Sequence, residues 1–218
     1  MYKLIVICGH GGGDPGACSD GYEERRLARM LGEKIKELGG EAVYLYDTSV
    51  NCYEQTKQGG GLYGLQSMVN VPIVELHLDA FNTTARGGHI IINSDATMTE
   101  AQGKLRDAIV RMFPGRSVTC KKRSDLLNCN VAKRLGFSYC LAENGFIDND
   151  EDRNIFLDNV DVLARVYLSA YGIDEVKPIQ PAADVWILHE LGEGLVKLES
   201  SIYPGCYLLA QGLPNAEA

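Results

Sequence analysis

The sequence predicts an α/β protein: a twisted, mostly parallel sheet flanked by helices, followed by a short all-β appendage. Three observations carry that expectation. Short continuous apolar runs bounded by turn residues recur along the first 175 positions, as strands buried on both faces do. Amphipathic stretches of helical period separate them, the alternation that builds a sheet covered by helices. Near residue 174 the pattern changes, and beyond Pro178 and Pro181 only short, turn-separated apolar segments remain.

The first element is Leu4–Cys8, a five-residue apolar strand. A helix over about 22–38 follows, with an apolar stripe at Leu27, Leu31, Ile35 and Leu38. Further strands are expected at 42–46, 72–78, 89–93 and 138–142. Helical stretches are expected within 53–69, at 97–112, near 124–135 and at 150–171. Residues 1–175 make one full domain. Residues 176–184 read as a linker, and 185–188, 195–198 and 206–209 as the strands of the appendage. About 43 residues build no independent core. The piece at 176–218 is therefore expected to pack on the main domain, self-associate or belong to a larger module, and the oligomeric state stays open.

Composition excludes several classes. The chain has 218 residues and a formal net charge of −8, from 21 basic and 29 acidic side chains. That acidity argues against a nucleic-acid binder, which presents a basic face. No apolar run approaches the roughly 20 residues that span a bilayer. Leu4–Cys8 is also too short for a signal peptide, so synthesis in the cytoplasm is expected. Seven cysteines without a C-x-x-C pair point to reduced thiols rather than a cysteine-rich zinc site.

The loop Gly9-His10-Gly11-Gly12-Gly13-Asp14-Pro15-Gly16 satisfies G-x-G-x-x-G, but its context is wrong for a dinucleotide. Pro15 interrupts it, Asp14 and Asp20 would repel a pyrophosphate, and the helix starts late. The alternative centres the loop on His10, at the carboxyl end of a strand, where open α/β sheets bind ligands; a plain hydrogen-bonded loop histidine is the other reading. Glu24 falls on the inward face of the first helix, and Glu23 about 75° away from its centre. A carboxylate on that face needs compensation, by a metal ion for instance, unless it only complements the helix dipole. His77 and Glu143 also end strands. His89 and His189 lack that setting and read as structural or exposed. Two histidines and a glutamate are a known zinc set for hydrolysis, and a further unligated glutamate can take the water's proton.

Four motifs in order then carry a resemblance: Gly9–Ala17, an acidic residue opening the next helix, Glu75-Leu76-His77-Leu78-Asp79-Ala80, and Glu143–Asn149. Over about residues 1–172 the chain resembles the zinc-dependent N-acetylmuramoyl-L-alanine amidases of type 3. The resemblance implies a six-stranded sheet and one Zn2+ per chain. It implies that His10, Glu24 and His77 are the metal ligands, Glu143 the catalytic acid/base, and bacterial peptidoglycan the substrate. Two departures stand out. Asp79 replaces the family's usual Asn, and the segment 59–70 is short and lacks the customary arginine. With no signal peptide, an endolysin made in the cytoplasm and released at lysis through a holin-type pore is expected. The tail faintly resembles one repeat of a β-trefoil, as a wall-binding element would. The alternatives are a catalytically silent wall-binding protein and a zinc peptidase with Arg86 as its carboxylate clamp.

Overall fold

The computed structural model describes residues 1–174 together with the backbone of three later strands at 186–192, 195–200 and 207–211. In chain order the elements are β1 (Leu4–Cys8), β2 (Cys18–Ser19), β3 (Tyr22–Glu23), α1 (Glu24–Gly39), β4 (Val43–Leu45), α2 (Cys52–Lys57), β5 (Ile73–Asp79), β6 (His89–Asn93), α3 (Glu100–Met112), β7 (Cys120–Arg123), α4 (Leu127–Leu135), β8 (Tyr139–Phe146), α5 (Asp150–Asp158), α6 (Val160–Ala170), β9 (Trp186–Gly192), β10 (Leu195–Ser200) and β11 (Tyr207–Gln211). Two compact units divide the chain, Met1–Val176 and Lys177–Ala218.

The larger unit holds a six-stranded sheet in the order β4-β1-β5-β8-β6-β7. Strands β4, β1, β5 and β8 run parallel, whereas β6 is antiparallel to β8 and carries β7 parallel to itself. Alternation along the strands divides the core. Leu4, Val6, Val74, Leu76, Ile90 and Cys140 point to one face with Leu27, Leu31 and Ile35 of α1 and Tyr167 of α6. Ile5, Ile7, Ile73, Ile91, Tyr139 and Leu141 point to the other, with Leu62, Leu65 and α4. β1 is buried along its whole length, which explains its unbroken apolar run.

Several boundaries differ from expectation for identifiable reasons. α1 begins at Glu24, because Tyr22 and Glu23 are drawn into a two-residue pairing with Cys18 and Ser19. The stretch 53–69 breaks at Gly59 and Gly60 into α2, capped by the Asn51 side chain, and a 3-10 segment at Gly61–Met68. The stretch 150–171 splits at Asn159 into α5 and α6. β7 (Cys-Lys-Lys-Arg) has almost no apolar content and so gives no periodic signal; it pairs on only one side, as an edge strand.

In the smaller unit the three strands form an antiparallel sheet in the order β11-β10-β9. The linker 176–184, Val185 and Cys206 lie outside the described residues. His189 lies on the β9 strand.

Candidate metal centre and active site

Three elements bring His10, Glu24 and His77 together at the carboxyl edge of β1 and β5. One ligand atom from each lies within 4.8 Å of the others. His10 follows β1 and has a left-handed φ of 59°, a conformation costly for a residue with a Cβ. Arg29 on α1 holds it there: its guanidinium donates to the carbonyls of Gly9 and His10 (both 3.0 Å), Thr48 (2.8 Å) and Val50 (3.2 Å). Gly16 closes the loop over the site, and a Cβ there would meet His10 Cδ2 at 2.6 Å and Glu24 Oε2 at 2.8 Å.

Glu24 is the hub. Its Oε2 lies 3.0 Å from His10 Nε2 and accepts from the Ala17 N–H; its Oε1 lies 2.8 Å from His77 Nδ1 and accepts from the Leu78 N–H. Burial by itself would raise this carboxyl, but the hydrogen bonds from both histidines hold it well below the usual carboxylate range. Burial alone would lower both histidines; their carboxylate contacts raise His10 overall and His77 well above the ordinary value. Neighbouring Glu23 is engaged elsewhere, with Arg25 at 2.6 Å and Arg26 at 3.1 Å. The far nitrogen of each histidine also meets a carboxylate: His10 Nδ1 lies 2.8 Å from Asp14, and His77 Nε2 lies 3.2 Å from Glu75. Two half-buried imidazoles converging on one buried carboxylate are a donor set that fits a divalent cation of borderline softness.

Glu143 stands in register with His77 of β5 on one side and His89 of β6 on the other. Directly after it β8 bulges, three residues (Glu143 to Phe146) matching the two-residue step from His77 to Asp79. Asn144 fills the bulge, donating to the carbonyls of His77 (3.1 Å) and Ala142 (3.3 Å) and accepting from the Tyr167 hydroxyl (2.8 Å). As a residue Glu143 is half-buried, yet its Oε2 is closed to solvent and has no hydrogen-bond partner among the described residues. Burial pushes its carboxyl up to about 8, against the pull of His77 and with the help of Asp79 and Glu24. An orphaned, proton-holding carboxyl beside a triad of metal donors suits proton transfer.

A cavity of about 250 Å³ adjoins the triad, lined by His10, His77 and Glu75 and by the apolar side chains of Leu126, Leu127 and Leu141. Asp79 pairs with Arg116, whose guanidinium lies 4.6 Å over the Phe146 ring. Arg86 is committed to Glu151 and Asp152 in the first turn of α5, so it is not a free clamp for a substrate carboxylate.

Sequence reasoning gave no role to Arg29, Glu75, Tyr139 or Asn128. Glu75 shares a strand face with His77, a signal available from alternation alone. Arg29, Tyr139 and Asn128 come from other elements and leave no local pattern.

Residues 4–173 match the protein-family model described as N-acetylmuramoyl-L-alanine amidase (Amidase_3). A Staphylococcus aureus protein named "Probable autolysin PH" is 32% identical over 77% of this chain and 38% of its own length. The sporulation-specific N-acetylmuramoyl-L-alanine amidase of Bacillus subtilis is 26% identical over 71% of this chain and 60% of its own length. The chain thus spans less than two thirds of either relative. In fold it is similar to an N-acetylmuramoyl-L-alanine amidase from Clostridium difficile 630, with a TM-score of 0.61, 19% identity, and coverage of 78% of this chain and 94% of that one. With its family model matched across the whole sheet and the triad at the sheet's edge, the chain belongs to the N-acetylmuramoyl-L-alanine amidase family.

Proposed function

We propose that this chain is a peptidoglycan hydrolase that cleaves the amide between N-acetylmuramic acid and L-alanine, with His10, Glu24 and His77 holding one zinc ion. The observation that carries the reading is the placement of Glu143, half-buried and in register with His77 one strand from the triad, with a buried Oε2 that has no partner among the described residues. A zinc ion bound by two imidazoles and a carboxylate acidifies a water and polarises a carbonyl. The chain's own residues do the rest. Glu143 accepts a proton from the attacking water at its buried carboxyl. It then delivers that proton to the alanine nitrogen as the C–N bond breaks. Arg29 and Gly16 keep His10 facing Glu24, and the bulge at Asn144 keeps Glu143 aimed beside His77. The cavity beside the triad suits a small apolar group next to the scissile amide.

The test is digestion of purified cell walls by the zinc-loaded protein, with the products identified. New L-alanine amino termini are expected, and their formation is expected to stop when a chelator strips the metal. New reducing ends of amino sugars in place of amino termini would overturn the amidase assignment.

A further inference from the structure

Glu75 is a carboxylate on the buried face of β5 and is only 4% exposed. An ion there is tolerated only if its lone pairs are filled. Two donors meet Oε2, the Tyr139 hydroxyl at 2.5 Å and Asn128 Nδ2 at 2.8 Å, and His77 Nε2 lies 3.2 Å from Oε1. Tyr139 comes from β8 and Asn128 from the first turn of α4, so two separate elements hold this carboxylate in place. With Oε2 taken by Tyr139 and Asn128, Oε1 is left facing His77 Nε2, and a hydrogen on that nitrogen completes the set.

We propose that Glu75 is a positioning residue for the metal centre: by taking the Nε2–H of His77, it turns Nδ1 toward Glu24 and the cation. The inference rests on the reading of His10, Glu24 and His77 as metal ligands. A histidine without such a partner can present either nitrogen and can swing about its χ2 bond, and each freedom lowers the fraction of molecules ready to bind. Here the imidazole is fixed at both ends, with Nδ1 at 2.8 Å from Glu24 and Nε2 against Glu75. The two strand-face neighbours Glu75 and His77 thus act as a pair, Glu75 touching the histidine and never the cation. His10 has a counterpart in Asp14, but that carboxylate has a side-chain exposure of 47%, so the firmer support lies under His77.

Two measurements on the full chain test this without reference to activity. In the first, zinc affinity is read by competition with a chromogenic chelator for wild type and Glu75→Gln, with circular dichroism checking the fold. A loss of about 10- to 100-fold in affinity is expected for the folded variant; affinity equal to wild type would overturn the proposal. In the second, nitrogen NMR of the histidine rings in the zinc-loaded wild type reads which nitrogen of His77 bears the metal. Nδ1 metallated with Nε2 protonated is expected, and Nε2 metallated would overturn the proposal even if Glu75→Gln fails to fold. Failure of the wild type to bind zinc at all would count instead against the metal reading of the triad.

Discussion

His77 and Glu143 lie directly opposite each other on the adjacent parallel strands β5 and β8, so an imidazole of the His10–Glu24–His77 cluster and a proton-holding carboxyl share one level of one sheet face. This register fixes the backbones of the two residues side by side, and they cannot separate without breaking the sheet. Replacing Glu143 with Gln keeps the shape and removes the proton acceptor. The expected outcome is a fall in hydrolysis of about 10²- to 10⁴-fold, with zinc content unchanged. Wall-clearing assays paired with metal analysis check it, and lysis at the wild-type rate would remove Glu143 from the mechanism.

The same carboxyl makes the metal-free protein sensitive to alkali. Glu143 in the folded chain holds its proton up to about 8, whereas an unfolded glutamate releases it near 4.3. Its contribution is therefore full below about pH 4.3 and is lost as pH rises toward 8, because the unfolded state has by then gained an ionised, hydrated carboxylate. Glu143→Gln abolishes that loss. The metal-free variant should be more stable than metal-free wild type at pH 8, by on the order of 2–4 kcal/mol, with little difference at pH 4. Denaturant titrations at the two pH values decide; equal stability at both would mean that the carboxyl is not held protonated.

How far the sequence reveals this arrangement depends on whether each signal is local. Strand β1 is covered on both faces, so its identity is written in five consecutive apolar residues. The inward position of Glu24 follows from the stripe of Leu27, Leu31 and Ile35 on its own helix, and the structure places it, not Glu23, between the histidines. β7 leaves no such trace, because an edge strand of three basic residues and a cysteine looks like any solvated segment. The antiparallel turn of β6 against β8 is equally silent, since a buried run reads the same in either direction. Arg29 is invisible for a further reason: it serves by binding main-chain carbonyls some twenty residues away, which asks nothing of the side chains there.

Gly16 has a φ of 70°, and its missing Cβ is what lets the loop press against His10 and Glu24. Gly16→Ala should destabilise the chain by somewhat more than about 1 kcal/mol. The larger effect is expected in zinc binding, because the methyl group can be accommodated only by moving the His10 and Glu24 side chains it meets. At least a tenfold loss of affinity, with the circular dichroism of the fold retained, is the expected pair of results. Unaltered affinity would show that the loop yields without disturbing the ligands.

The Asp79 carboxylate, near Glu143 on the neighbouring strand, is paired with Arg116. Its charge still bears on Glu143 and helps to hold that carboxyl's pKa high. Asp79→Asn removes one negative charge and also releases the positive charge of Arg116, both of which favour ionised Glu143. The acidic limb of the kcat/KM profile should move to lower pH by a fraction of a unit. A shift in the other direction would mean that losing Arg116 from its place over Phe146 outweighs the change in charge.

His89 is fully buried, and neither of its ring nitrogens has a hydrogen-bond partner among the described residues. Burial, aided by the charges of Lys121 and Arg116, pushes its pKa down to about 3, while an unfolded histidine titrates near 6.5. The folded chain therefore keeps a neutral imidazole at acidities where the unfolded chain binds a proton. Its contribution is present above pH 6.5 and is lost as pH falls from there toward 3. His89→Phe fills the same apolar setting without a titrating group. Between pH 7 and pH 4 the variant should lose less stability than wild type, by on the order of 2 kcal/mol or about 4–8 °C in Tm. Parallel melting curves for the two chains would refute this account of His89 and assign the acid sensitivity to other groups.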